Sequence, residues 1–228
     1  MQEPRRRRYL AALGVDLWTP RDAAATPREP PLAAASSALD WPQLEAAVAG
    51  CNRCRLCQGR TQTVFGVGDR QAAWMVVGEA PGAEEDRQGE PFVGAAGQLL
   101  NQMLRAVGLA RESVFIANTL KCRPPGNRDP QADELAACRP YLERQIALVQ
   151  PRLLLAVGRI ASQALLGSAE SMGRLRGRVH TLPGTTLPLV ATYHPAYLLR
   201  SPLQKRLAWQ DLLLARRVVA GEAGGDAG

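Results

Sequence analysis

Four short apolar runs recur at intervals of about 40 residues: AAWMVVGE (72–79), SVFIANTL (113–120), RLLLAVG (152–158) and LPLVATYHP (187–195). Each is rich in aliphatic, β-branched or aromatic residues and shorter than an average helix, so each reads as a buried strand. The segments between them carry helical periodicity: GAAGQLLNQMLRAV near 94–107, a stretch near 130–149 that begins DPQADELAAC, RIASQALL, and the closing PLQKRLAWQDLLLARRVV. Strand, helix and strand in succession close through right-handed crossovers, which leave the strands parallel. The chain is therefore expected to form an α/β fold, a three-layer α/β/α sandwich around a central, mostly parallel, four-stranded sheet.

In open parallel sheets, ligands bind beyond the carboxyl ends of the strands. Here those ends are Gly78-Glu79-Ala80-Pro81-Gly82 after the first strand, Asn118 in the second, Gly158 after the third and His194 after the fourth. These four distant segments are expected to line one crevice.

The folded domain is expected to span 46–220. Residues 1–45 read as an appendage, with RRRRYLAALGVDLW as a short basic helix and TPRDAAATPREPPLAAASS as a linker without apolar period. Residues 221–228 read as a disordered tail. No 18-residue apolar run exists, and the basic N-terminus lacks the apolar stretch of a secretion signal. A membrane span is excluded on this reading and a cytoplasmic location expected. In a reducing compartment an odd count of five cysteines argues for metal or catalysis rather than a disulfide frame. The net charge of +7 lies wholly after residue 50, where 22 basic residues face 15 acidic ones; arginine supplies 26 of the chain's 28 cations. That suits phosphate contacts, and equally an ordinary solvated surface.

GEAPGAEEDRQGEPFVGAAG (78–97) sets a Gly/Pro turn directly after a strand, so that backbone amides can approach a ligand. It lacks the Gly-Lys-Ser/Thr ending of a phosphate loop. Its carboxylates, Glu79 and Glu85 among them, suit positioning a water or steadying positive charge. Phe92 is either core or a platform for a base. Asn118 either caps a strand turn or presents a donor and an acceptor to a nucleobase edge. His194, fixed before a proline, is either structural or a hydrogen-bond donor to a developing anion; His180 reads as structural. Tyr197, Leu198, Leu199 and Arg200 combine an apolar knuckle with a phosphate-binding cation, the mixture a DNA-inserting wedge needs.

Cys51 and Cys54 form a CxxC, but the segment before them, LEAAVAG, looks helical, unlike the strand that precedes a redox CxxC. With Cys122 and Cys138 they make four thiolates that suit zinc or an iron–sulfur cluster, and spacing does not choose between these.

Together these stretches resemble the family 4 uracil-DNA glycosylases, the iron–sulfur branch of the uracil-DNA glycosylase superfamily. The likeness spans about residues 48–220 and is carried by CNRC, GEAPGAEED, PFVGAAGQLLNQML, NTLKCRPPGNRDP and TYHPAYLLR in the family's order and spacing. It implies a [4Fe–4S] cluster on Cys51, Cys54, Cys122 and Cys138, with Cys57 the spare. It implies a base pocket lined by Gly78 and Ala80, in which Phe92 stacks on a flipped uracil, Asn118 reads its edge and rejects cytosine, and His194 hydrogen-bonds the base as the bond breaks. Glu79 and Glu85, the candidate catalytic carboxylates, fall in the acidic loop. Other branches carry a water-activating aspartate after the first glutamate; this chain has Ala80 there, so the resemblance assigns no general base. Arg123, Arg128, Tyr197, Leu198 and Arg200 are expected to face DNA. The implied substrate is uracil-containing DNA, single- or double-stranded, acted on by a monomer that leaves an abasic site. An iron–sulfur electron carrier and a non-catalytic DNA-binding module are the alternatives; neither releases a base.

Overall fold

The computed structural model describes residues 38–221. The expected basic helix, the linker up to residue 37 and the tail from 222 lie outside the described residues. Six strands form one sheet: β1 (Val67–Gly68), β2 (Trp74–Gly78), β3 (Phe115–Asn118), β4 (Leu153–Val157), β5 (Val179–Thr181) and β6 (Pro188–Thr192), in the order β1-β3-β2-β4-β6-β5. The four expected strands are the central ones, and all their pairings are parallel. The expected count of four is corrected to six by two antiparallel edges, β1 on β3 and β5 on β6. At two and three residues, neither edge strand is long enough to show a period.

Alternate side chains of the buried strands point into two cores. Trp74, Val76, Ile116, Leu153, Leu155 and Val190 meet Leu100, Leu104, Leu198 and Leu212. These belong to α3 (Ala95–Ala106), α7 (Pro195–Arg200) and α8 (Lys205–Ala220). Met75, Val77, Phe115, Leu154, Ala156 and Leu189 meet Leu142, Val149, Leu165 and Leu175. These lie on α4 (Ala132–Val149), α5 (Arg159–Leu166) and α6 (Met172–Leu175). Burial on both faces explains why the strands read as continuous apolar runs.

The helix ahead of the cysteines is α1 (Trp41–Ala49), begun by a capping box in which Asp40 accepts from the Gln43 N–H and Gln43 from the Asp40 N–H. It spans the expected domain boundary at 46 and lies against α4, where Arg144 donates to the Leu39 carbonyl.

One buried ion pair fastens the last helix. Asp211, fully buried, accepts from Arg176 at 2.8 and 3.1 Å and from the Gly177 N–H at 3.1 Å. Arg176 precedes edge strand β5, so the pair joins that edge to α8. Removing one member of such a pair strands the other charge, at about 3–5 kcal/mol. Asp211→Ala should lower unfolding stability by about that amount in a urea titration, well beyond the change from Glu45→Ala, whose bridge to Arg70 is exposed.

Candidate active site

The register of β2 and β3 sets Gly78 directly beside Asn118 at the carboxyl end of the sheet. Both face the core that contains Phe92. Asn118 is 2% exposed, and its Oδ1 has no hydrogen-bond partner. A Cβ on Gly78 would collide with that oxygen and come within 2.6 Å of the Phe92 ring, so glycine alone leaves room for both.

The loop after β2 runs through the short α2 (Ala83–Gln88) and returns at Pro91 and Phe92. Phe92 has a left-handed backbone, φ 55°, unusual for an aromatic residue. It is held from two sides. Arg111 donates to the Phe92 and Pro91 carbonyls, at 3.3 and 2.6 Å. Glu85 accepts from the N–H groups of Val93, Gly94 and Gly82 at 3.0–3.1 Å. In this geometry Glu85, expected to act chemically, lines the crevice and holds its loop. Its carboxylate ties the two limbs of the loop together, with both oxygens occupied.

His194 is the N-cap of α7. Its Nδ1 accepts from the Ala196 N–H at 3.1 Å, which leaves the ring proton on Nε2. The ring lies against Phe92, centroids 5.7 Å apart at 29°. Burial, with the Arg200 charge adding to it, pushes the His194 pKa down to about 4. At neutral pH the side chain is an uncharged N–H donor. Glu79 moves the other way: burial, aided by repulsion from Asp129 and opposed by Arg159, raises its carboxyl to about 7.

Glu79, Ala80, Phe92, Asn118 and His194 line one crevice of about 460 Å³, together with Arg128, Tyr197 and Arg200 at its rim. A larger apolar hollow, about 590 Å³, lies between α4, α5 and residues 182–185. Its charged lining is Arg139 and Glu143, already paired with each other, so it offers no convergent polar chemistry.

One of the expected DNA contacts is corrected. Leu198 is 1% exposed, packed in the core beneath α7. Consecutive residues on a helix are about 100° apart, so the run Tyr197-Leu198-Leu199 cannot all face outward. Arg128 holds both oxygens of buried Glu134, at 2.6 and 2.9 Å, while standing at the rim of the crevice. Arg123 donates to Asn127. Tyr197 and Arg200 remain at the surface beside the crevice. Two exposed apolar side chains that the sequence reading did not single out are Leu203, 89% exposed in the turn before α8, and Trp209, 40% exposed in the helix. Their signal lay in the spacing of apolar residues beside Lys205 and Arg206.

Cys51, Cys54, Cys122 and Cys138 line a second, enclosed pocket, with Cys57, Arg60, Lys121 and Tyr141. Arg60 donates to the Cys122 sulfur at 3.0 Å and the Lys121 N–H to that of Cys138 at 3.2 Å. Burial pushes the Cys138 thiol up to about 12 and also raises those of Cys54 and Cys122. Sulfurs so placed become thiolates only against a bound cation. Among the described residues no three ligating side chains close on a single metal ion. Four cysteine side chains around one enclosed pocket are a donor set that suits an iron–sulfur cluster.

An α/β fold with its site at the strand ends, a stacking ring and an unpartnered amide is the architecture of a base-recognising enzyme. Residues 65–213 match the uracil DNA glycosylase superfamily, to which the chain belongs. It falls in the type-4 branch. The type-4 uracil-DNA glycosylase of Pyrobaculum aerophilum is 42% identical over 182 residues, 77% of this chain and 93% of that protein. That of Thermotoga maritima is 39% identical over 176 residues, 75% and 91% of the two chains. A type-5 uracil-DNA glycosylase from Thermus thermophilus is 35% identical over 150 residues, covering 58% and 68%.

Gly78→Ala should keep the fold, read by its melting transition, while filling the floor of the crevice. Release of uracil from a labelled oligonucleotide is expected to fall at least about 100-fold, the scale at which small misplacements within a site are felt.

Proposed function

We propose that the crevice takes a uracil flipped out of DNA onto the ring of Phe92, within reach of Asn118 and His194, and hydrolyses its N-glycosidic bond, leaving an abasic site. The chain is a uracil-DNA glycosylase by family, and the observation that carries the site assignment is the buried, unpartnered Asn118 Oδ1. An orphan acceptor in a core is costly; uracil N3–H satisfies it, and the Asn118 amide N–H reaches uracil O4. Cytosine presents an acceptor at N3 and a donor at C4, so both bonds become clashes.

Extrusion costs a few kcal/mol of stacking and pairing, least for mismatched or single-stranded uracil. As the C1′–N1 bond breaks, its electron pair passes to the base, and the sugar becomes oxocarbenium-like. His194 Nε2–H donates to uracil O2, where negative charge gathers. Being already neutral, His194 keeps its proton and steadies the anion electrostatically. Glu79, ionised, takes a proton from the water that attacks C1′. Glu85 and Arg111 do not touch the base; they hold the Phe92 loop in place. Arg200, Tyr197, Leu203 and Trp209 supply the cation and apolar groups of the DNA face, with Leu203 exposed enough to fill the gap left by the flipped base.

Cys51, Cys54, Cys122 and Cys138 would hold a [4Fe–4S] cluster, which supplies a structural tie when bound. Those ligands join α1, the segment after β3 and α4. Among the described residues no helix is long and apolar enough to cross a membrane; we assign the protein to the cytoplasm, acting as a monomer.

Incubation with uracil-containing single- and double-stranded oligonucleotides, followed by alkaline strand scission, tests the activity. His194→Ala should lower the single-turnover rate about 10²–10³-fold with binding to abasic DNA retained. The rate should rise with pH through about 7, as Glu79 ionises, and level off above it. Glu79→Gln should remove that limb and leave a shallower dependence near pH 4, where His194 protonates. A wild-type profile flat from pH 5 to 9 would exclude Glu79 as the base. For the cluster, Cys57→Ser should keep iron and visible absorbance, whereas Cys54→Ser should lose them.

A further inference from the structure

Lys121, at 1% exposed, is one of the largest fully buried side chains of the protein. It lies three residues beyond Asn118 and immediately before Cys122. Its Nζ donates to the Asn118 backbone carbonyl at 2.9 Å and to Gln145 Oε1 at 2.6 Å. Gln145 donates in turn to the Phe65 carbonyl at 2.9 Å. Both acceptors of the ammonium are neutral, and no salt bridge among the described residues includes it. A cation buried without a carboxylate needs another source of negative charge. The groups able to supply one are the cysteines: Lys121 lines their pocket, and its backbone N–H donates to Cys138 Sγ.

We infer that Lys121 is a positioning residue that ties the carbonyl of the base-reading Asn118 to the cysteine pocket, whose thiolates hold the ammonium charge in the core. The inference rests on the proposed roles of Asn118 and of the four cysteines. On the far side, the Thr119 N–H donates to the Gly78 carbonyl and the Leu120 N–H to that of Glu79, at 2.9 and 3.0 Å. The end of β3 is thus clamped between the catalytic loop and Lys121, and the Asn118 side chain inherits its direction from that clamp. Filling of the cysteine pocket and aim of the amide are linked through one side chain.

Lys121→Met removes charge and donor, Lys121→Gln keeps a donor without charge, and Lys121→Arg keeps both. Each purified variant is assayed for iron, for visible absorbance, for the midpoint potential of the cluster by voltammetry, and for kcat and KM on uracil DNA. A nearby cation favours the reduced, more negative cluster, so Lys121→Met should show a lower potential than the wild type. Its kcat should fall about 10–100-fold, the usual effect of losing a group that orients a ligand, with KM little changed. Lys121→Arg should recover much of both. Wild-type potential and kcat in Lys121→Met would overturn the inference, as would equal defects in the Met and Arg variants, which would mark a packing effect. If Lys121→Met fails to fold or to hold iron, Lys121→Gln decides: a lowered potential with kcat near wild type supports the link, and an unchanged potential refutes it. Wild-type protein that releases no uracil would refute the reading of Asn118 while leaving the potential shift as the test of Lys121. Wild-type protein without iron would refute the cluster and leave the split between kcat and KM to judge the tie to Asn118.

Discussion

The site depends on one strand register, the parallel pairing of β2 and β3 that sets Gly78 opposite Asn118. Side chains alternate along a strand, so a slip of one residue would turn Asn118 to the α4 face and bury its amide away from the crevice. In the observed register Asn118 shares a face with Phe92 and with the core beneath α3 and α7. The absence of a side chain at Gly78 then leaves the space over which the ring and the amide stand. The turn after β2, the left-handed Phe92 and the clamp on Asn118 all build on that pairing.

Burial does the electrostatic work. The same desolvation that keeps His194 neutral pulls Glu79 towards the protonated form. The two groups enter neutral pH in different states, one a fixed donor and the other near its midpoint. Two titratable groups whose pKa values are pushed in opposite directions are what acid–base division of labour requires. Glu85, a few residues away, shows the alternative fate of a carboxylate in the same loop. Three backbone N–H groups surround it and fix it in the loop.

Much of this was legible in the chain. Four buried strands and their helices follow from apolar runs and period, because both faces of a parallel sheet are covered. The convergence of Gly78, Asn118 and His194 follows from strand order alone, since crossovers of one hand bring the carboxyl ends together. Less legible were the edge strands, too short for a period, and the DNA face. Leu198 and Leu203 look alike as letters. The helical turn points the first into the core, and only the packing of α7 against α3 reveals it. Arg128 reads as a free cation until Glu134 is seen to be buried beneath it.

By itself the sequence determined the fold class, the location of the crevice and the residue types within it, because periodicity and turn chemistry are local properties of a chain. It also singled out four of the cysteines as the proposed ligand set, through a likeness that covers most of the folded part. Only the tertiary structure decided which carboxylate is free and which is bound, which nitrogen of His194 carries the proton, and that Lys121 lines the cysteine pocket while bonding the Asn118 carbonyl. Those properties come from burial and from hydrogen bonds between residues far apart in the chain, such as Lys121 and Gln145, and no local pattern encodes them.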